Sequence, residues 1–139
     1  MKLKHLFTAA VLALAITVPA FAEEETPLGK EMEKASKALK AIGRAQKEGK
    51  VTKDLASKVA DIKAAFEAAA KLEPAKTKDV PAADKAKFLA DYKAAMEASI
   101  KELDALKAAV EAEKADEVGK ILEKLNAGKK DGHKAFKAD

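Results

Sequence analysis

A chain of 139 residues, 48% hydrophobic, 36% charged and only 4% aromatic, has the length of one domain. Its formal net charge is +4, but acids and bases are interleaved and no basic block marks a nucleic-acid binder. It has no cysteine, which excludes disulfides, a lipid anchor on cysteine and any cofactor held through thioether bonds.

The chain opens on a basic stretch, Met1 to His5, followed by an apolar run from Leu6 to Val18 and then Pro19-Ala20-Phe21-Ala22. A basic start, a short apolar centre and an A-x-A site make a secretory signal peptide. The run has no polar face, and it is shorter than the ~20 residues that span a bilayer. Cleavage is expected after Ala22, leaving a domain from residue 23 to residue 139. The leader holds Lys2 and Lys4 and no acid, so the remaining chain carries a net +2. Export without cysteine suits a bacterial periplasm.

Alanine, lysine, glutamate and leucine dominate the rest, a composition of helices. Thr26 can cap the first helix, with Pro27 at its first position. Leu28, Met32, Ala35, Leu39 and Ile42 then form a seam in steps of four and three, and Gly49 ends the helix. A second helix starts near Thr52, carries Leu55, Val59, Ile62, Phe66 and Ala69, and stops before Pro74. Glu73 to Val80 is the longest linker. The third helix runs from near Pro81 to about Lys114, with Phe88, Tyr92, Met96, Ile100, Leu103, Leu106 and Val110 on its seam. Asp116 can cap the fourth. That helix presents Val118, Leu122, Leu125, Lys129, His133 and Phe136 on one face, with Gly128 and Gly132 also on the inward side. Four amphipathic helices with short connections predict an all-α, antiparallel up-down-up-down four-helix bundle behind the cleaved leader.

This topology places the start of the first helix and the end of the fourth at one end of the molecule. Met32 and His133, the only histidine after the leader, each lie ~9 Å from that end at 1.5 Å per residue. The four aromatics after the leader, Phe66, Phe88, Tyr92 and Phe136, fall on the same half of the bundle. Two inward glycines beside one histidine cost helix stability, ~1 kcal/mol each, and leave room. Imidazole and thioether facing each other in an aromatic-lined cavity are the axial donors of an iron porphyrin. Phe66, Tyr92, Met96 and Phe136 can line its faces, and Lys129 and Lys130 can reach its propionates.

Simpler readings stand beside this one. A methionine on a seam packs cores, and a histidine near a helix C-terminus is favoured by the helix dipole. A haem-free bundle, structural or stress-related, and a copper protein using Met32, Met96 and His133 are the alternatives. Zinc lacks a donor set. The chain has no nucleophile with a partner base, no phosphate loop and no carboxylate pair in an apolar setting, so no enzyme is expected.

The segments Met32-Glu33 and Leu39-Lys40-Ala41-Ile42, with the ending His133-Lys134-Ala135-Phe136-Lys137, resemble the soluble cytochrome b-562 family. The likeness runs through all four helices. It implies Met32 and His133 as the iron ligands, Tyr92 and Met96 as packing against haem, and a small periplasmic redox partner for a monomer or weak dimer. The related cytochrome c-prime carries a C-x-x-C-H site, and here Lys129 and Gly132 stand where its cysteines would be. The resemblance therefore implies non-covalent haem b. Gly132 also stands where the b-type family has a bulkier residue.

Overall fold

The computed structural model describes residues 26–138, and the leader assigned to residues 1–22 lies outside them. Four helices form the bundle: α1 (Pro27–Lys47), α2 (Leu55–Ala70), α3 (Lys85–Glu111) and α4 (Ala115–Phe136). No strand occurs among the described residues. Among those residues no helix is long and apolar enough to cross a membrane.

α1 begins where its sequence dictates. Thr26 is extended and its Oγ1 accepts the Gly29 N–H at 3.0 Å, with Pro27 in the first turn. The helix closes on a Schellman motif. Lys50 N–H donates to Ala45 C=O at 2.8 Å and Gly49 N–H to Gln46 C=O at 3.2 Å, with Gly49 at φ +67°. α3 closes on the same motif, Lys114 to Ala109 at 3.0 Å and Glu113 to Val110 at 2.9 Å. There the left-handed position is held by Glu113 at φ +56°, which costs about 1–2 kcal/mol relative to a helical conformation.

Three boundaries depart from the sequence reading. α2 starts at Leu55, because Thr52 to Asp54 form a turn in which Thr52 C=O accepts Leu55 N–H at 3.1 Å. α3 starts at Lys85 and not near Pro81. Pro81 opens a turn to Asp84 at 2.9 Å, and the α pattern follows with Phe88 N–H bonding to Asp84 C=O. Asp116 does not cap α4. The chain reverses within Glu113 and Lys114, so Lys114 takes the cap position and Asp116 falls inside the first turn beside Glu117. Both acids there suit the positive end of the helix dipole. The linker after α2 contains a 3-10 turn, Ala75–Asp79, that packs against α3 and α4.

The seams meet as the spacing requires. Ile42, Val59, Ile62, Leu103, Leu106, Val110 and Val118 are fully buried, and Ala35, Phe66, Leu122 and Leu125 complete the same cluster. Val51, in the α1–α2 connection, joins this core although no helical period marks it. Each helix packs against the next, α1 also meets α4, and α1 and α3 stand diagonally across the shared core. The α1–α4 contact is the slightest of the neighbouring pairs. It is tight at one end only. Gln46 Nε2 donates to Ala115 C=O at 3.4 Å, and it lies so close over Gly119 that a Cβ there would sit 2.9 Å from it.

Candidate functional site

Farther along α4 a Cβ built on Gly128 or on Gly132 meets nothing within 4 Å, and at 3.6 residues per turn both glycines lie on the side of the helix opposite Gly119, away from α1. One polar tie crosses the seam here, Lys129 Nζ donating to Ser36 Oγ at 3.1 Å. This bond joins two antiparallel helices whose register the core packing sets. Met32 lies one turn before Ser36 and His133 one turn after Lys129, so both stand at the same level, a rise of ~6 Å beyond the tie. Ser36 escaped the sequence reading. The available signal was its position four residues after Met32, on the same helix face.

Met32 is half-buried and packs on the core, whereas His133 is exposed. Lys129 and Gly128 are exposed too, so the inward placement expected for them and for His133 does not hold. The continuous buried face of α4 ends at Leu125. Beyond it only Gly132 and Phe136 of α4 are partly covered. The shielding that the His133 ring retains, with the positive charges of Lys129 and Lys137, holds its pKa below the usual histidine value. Neutral imidazole, the form that binds metals, is thereby favoured.

Phe136 anchors the turn that carries His133. Its ring centroid lies 5.4 Å from that of Phe88 and 5.4 Å from that of Tyr92, both edge-on. Tyr92 is buried, and its hydroxyl donates to Ala69 C=O at 2.7 Å, which links this cluster to the last turn of α2. Phe66 lies one turn earlier on α2, within the core, and Met96 is half-buried against the core one turn after Tyr92. The Thr77 hydroxyl in the 3-10 turn is buried with no hydrogen-bond partner among the described residues, a feature the sequence did not announce. An open depression of about 640 Å³ between α1 and α2, lined by Pro27, Lys30, Lys34, Ala68 and Leu72 among others, contains neither Met32 nor His133.

Burial pushes the Tyr92 phenol from 10.0 up to about 12. The folded state therefore keeps this proton at pH values where the unfolded chain loses it. Tyr92's contribution is intact below pH 10 and is lost as the pH rises toward 12. Tyr92→Phe should cost about 1 kcal/mol near neutral pH, the usual worth of a buried hydrogen bond. The gap between the two proteins should close with rising pH, which urea unfolding midpoints at about pH 8 and about pH 11 will read. A constant gap would mean that the phenol is not the titrating group.

The fit to an iron porphyrin can be judged on these features. Two neutral donors of complementary softness, Met32 on α1 and His133 on α4, lie at the end of the bundle that holds an aromatic cluster. Among the described residues no group of three or more His, Cys, Asp or Glu could hold a bare metal ion. The fold is an all-α four-helix bundle. The family model for cytochrome b562 matches residues 27–137, and the chain belongs to that family, whose members bind non-covalent haem b and transfer electrons. No curated protein and no solved structure matches the chain.

Proposed function

We propose that this protein is a periplasmic one-electron carrier that holds one haem b between Met32 and His133. The observation that supports the reading is that Met32 on α1 and His133 on α4 lie one turn to the same side of the Ser36–Lys129 bond, at the end of the bundle that holds the aromatic cluster. Haem supplies a metal that cycles by one electron, with a potential set by its ligands and its burial.

The chain does the remaining work. His133 offers a neutral imidazole nitrogen as the stronger donor, and the Phe136 contacts with Phe88 and Tyr92 hold its turn in place. Met32 offers the weaker thioether from the half-buried side of α1. If haem were bound by both side chains, Met32 and His133 would leave no open site for oxygen chemistry or for a substrate, as a carrier requires. Phe66, Tyr92 and Met96, buried or half-buried near this end, would supply an apolar wall for a porphyrin. Lys129 and Lys130 would pair with its propionates. With no cysteine in the chain, retention rests on ligation and packing alone.

An absorption spectrum of protein purified from the periplasm tests the reading. The reduced protein should show sharp low-spin bands, acid–acetone should extract the haem, and the intact mass should begin at Glu23. A colourless protein that refuses added hemin yet melts cooperatively would establish the haem-free bundle instead.

A further inference from the structure

Thr77 is buried in the 3-10 turn between α2 and α3, with 7% of its surface exposed. Among the described residues its hydroxyl is the only buried side-chain oxygen or nitrogen without a hydrogen-bond partner. The backbone builds the turn by itself: Thr77 N–H donates to Pro74 C=O at 3.0 Å, and Thr77 C=O accepts Val80 N–H at 3.3 Å. A threonine in a turn ordinarily bonds a backbone group close by in its own chain, and this one bonds none. Valine is nearly the same size and would fill the position without burying an unpaired donor, so packing alone does not call for threonine here.

Its place in the fold narrows the partner. The turn packs against α3 and α4. It joins the end of α2 to the start of α3, so the part of antiparallel α4 beside it is the last turns, which carry His133 and Phe136. Phe136 meets Phe88 and Tyr92 near the start of α3, and Tyr92 bonds Ala69 at the end of α2. The unpaired hydroxyl therefore belongs to the end of the bundle that holds the two candidate iron ligands. A haem ligated on both faces has one kind of hydrogen-bonding group left, the carboxylates of its propionates. Each has about four acceptor sites, so a hydroxyl can bond one beside whatever Lys129 and Lys130 contribute.

We propose that the Thr77 hydroxyl donates a hydrogen bond to a haem propionate. This makes the α2–α3 connection part of the cofactor site and Thr77 a determinant of specificity for a porphyrin with free carboxylates. The proposal rests on the haem reading above. A hydroxyl-to-carboxylate bond is charge-assisted and gains strength out of water. It also gives the hydroxyl the partner that no described residue supplies.

The test compares the parent chain with Thr77→Val and Thr77→Ser, each freed of haem by acid–acetone and titrated with hemin or with hemin dimethyl ester, whose carboxylates are masked. Thr77→Val should raise the Kd for hemin about tenfold and the Kd for the ester less than about twofold. Thr77→Ser, which keeps the hydroxyl, should hold the hemin Kd within about threefold of the parent. Haem-free Thr77→Val should unfold in urea at the parent midpoint or above it, because no bond within the protein is lost. An unchanged hemin Kd in Thr77→Val would overturn the proposal, as would an equal loss for hemin and its ester. So would a lower urea midpoint for haem-free Thr77→Val, the mark of a hydroxyl already bonded to the protein or to a bound water. A parent chain that takes up neither porphyrin removes the haem reading itself, and this proposal with it. A parent chain that binds both, with Thr77→Val unaffected, removes this proposal alone.

Discussion

His133→Ala should strip the protein of haem, while Met32→Ala should keep haem and change its spin state. The difference follows from donor strength. Imidazole is the stronger donor, and His133 is the only histidine among the described residues, so no second imidazole can take its place. Alterations behind a metal ligand already weaken metal binding 10–100-fold, so loss of the ligand itself should cost at least about a hundredfold in haem affinity. Met32 supplies the weaker, softer donor. Without it the iron keeps imidazole on one side and is five-coordinate or water-ligated on the other. Spectra should turn high-spin, carbon monoxide should bind, and the reduction potential should fall, because thioether favours the reduced metal. Met96→Ala is the control. Its side chain is half-buried against the core, so it should lower stability and leave the low-spin bands in place. If Met32→Ala keeps the low-spin bands and Met96→Ala abolishes them, the sulfur ligand sits on α3 and the assignment to α1 is wrong.

The largest effect on folding is expected at Leu106. This residue and Leu103 have no solvent exposure, and both lie within the cluster that joins all four helices. Leu106→Ala removes most of a buried side chain from a close-packed interior, which costs about 2–5 kcal/mol, depending on how far the neighbours collapse. A domain of this size has about 5–15 kcal/mol of total stability, so the loss is a large part of the whole. Urea unfolding should show a lower midpoint with an unchanged slope. A cost below about 1 kcal/mol would mean that the four seams do not interlock at this level. Substitutions at Lys130 or Lys134, on exposed helix surface, should stay within about 0.5 kcal/mol.

Much of the architecture was legible in advance because it depends on short-range periodicity. A seam in steps of three and four can bury itself only against other helices, and Ile42, Val59, Ile62, Leu103, Leu106, Val110 and Val118 all do so. Thr26, Pro27 and Gly49 act through bonds to residues within five positions, so their roles survive without tertiary knowledge. Helix starts that rest on weaker signals were misplaced. The first helix position is also suited to proline, but Pro81 opens a turn, and Asp116 entered the helix rather than capping it. In both cases the connection between helices, not the local side chain, decides where the regular bonds begin.

The site was legible in composition and not in placement. One methionine and one histidine at equal depth follow from residue counting along two helices, because rise per residue is constant. Family membership likewise lay within the sequence, in the match that covers residues 27–137. Rotation about a helix axis, and the gap between neighbours, are not local quantities. They follow from how all four helices pack at once, and so the exposure of His133 and Gly128 contradicted the simple inward face. The same packing brought Gln46 onto Gly119 in the α1–α4 seam and left Gly128 and Gly132 on the side of α4 turned away from it. It also set Lys129 against Ser36, ninety-three residues away, and the Phe136 ring against Phe88 and Tyr92. The sequence by itself determined four helices, the caps of the first and the seams of all four, and it named Met32 and His133 as candidate donors. Only the tertiary structure decided how far each candidate residue is covered and which rings meet beside them, since that depends on the summed packing of the bundle and on no single stretch of chain.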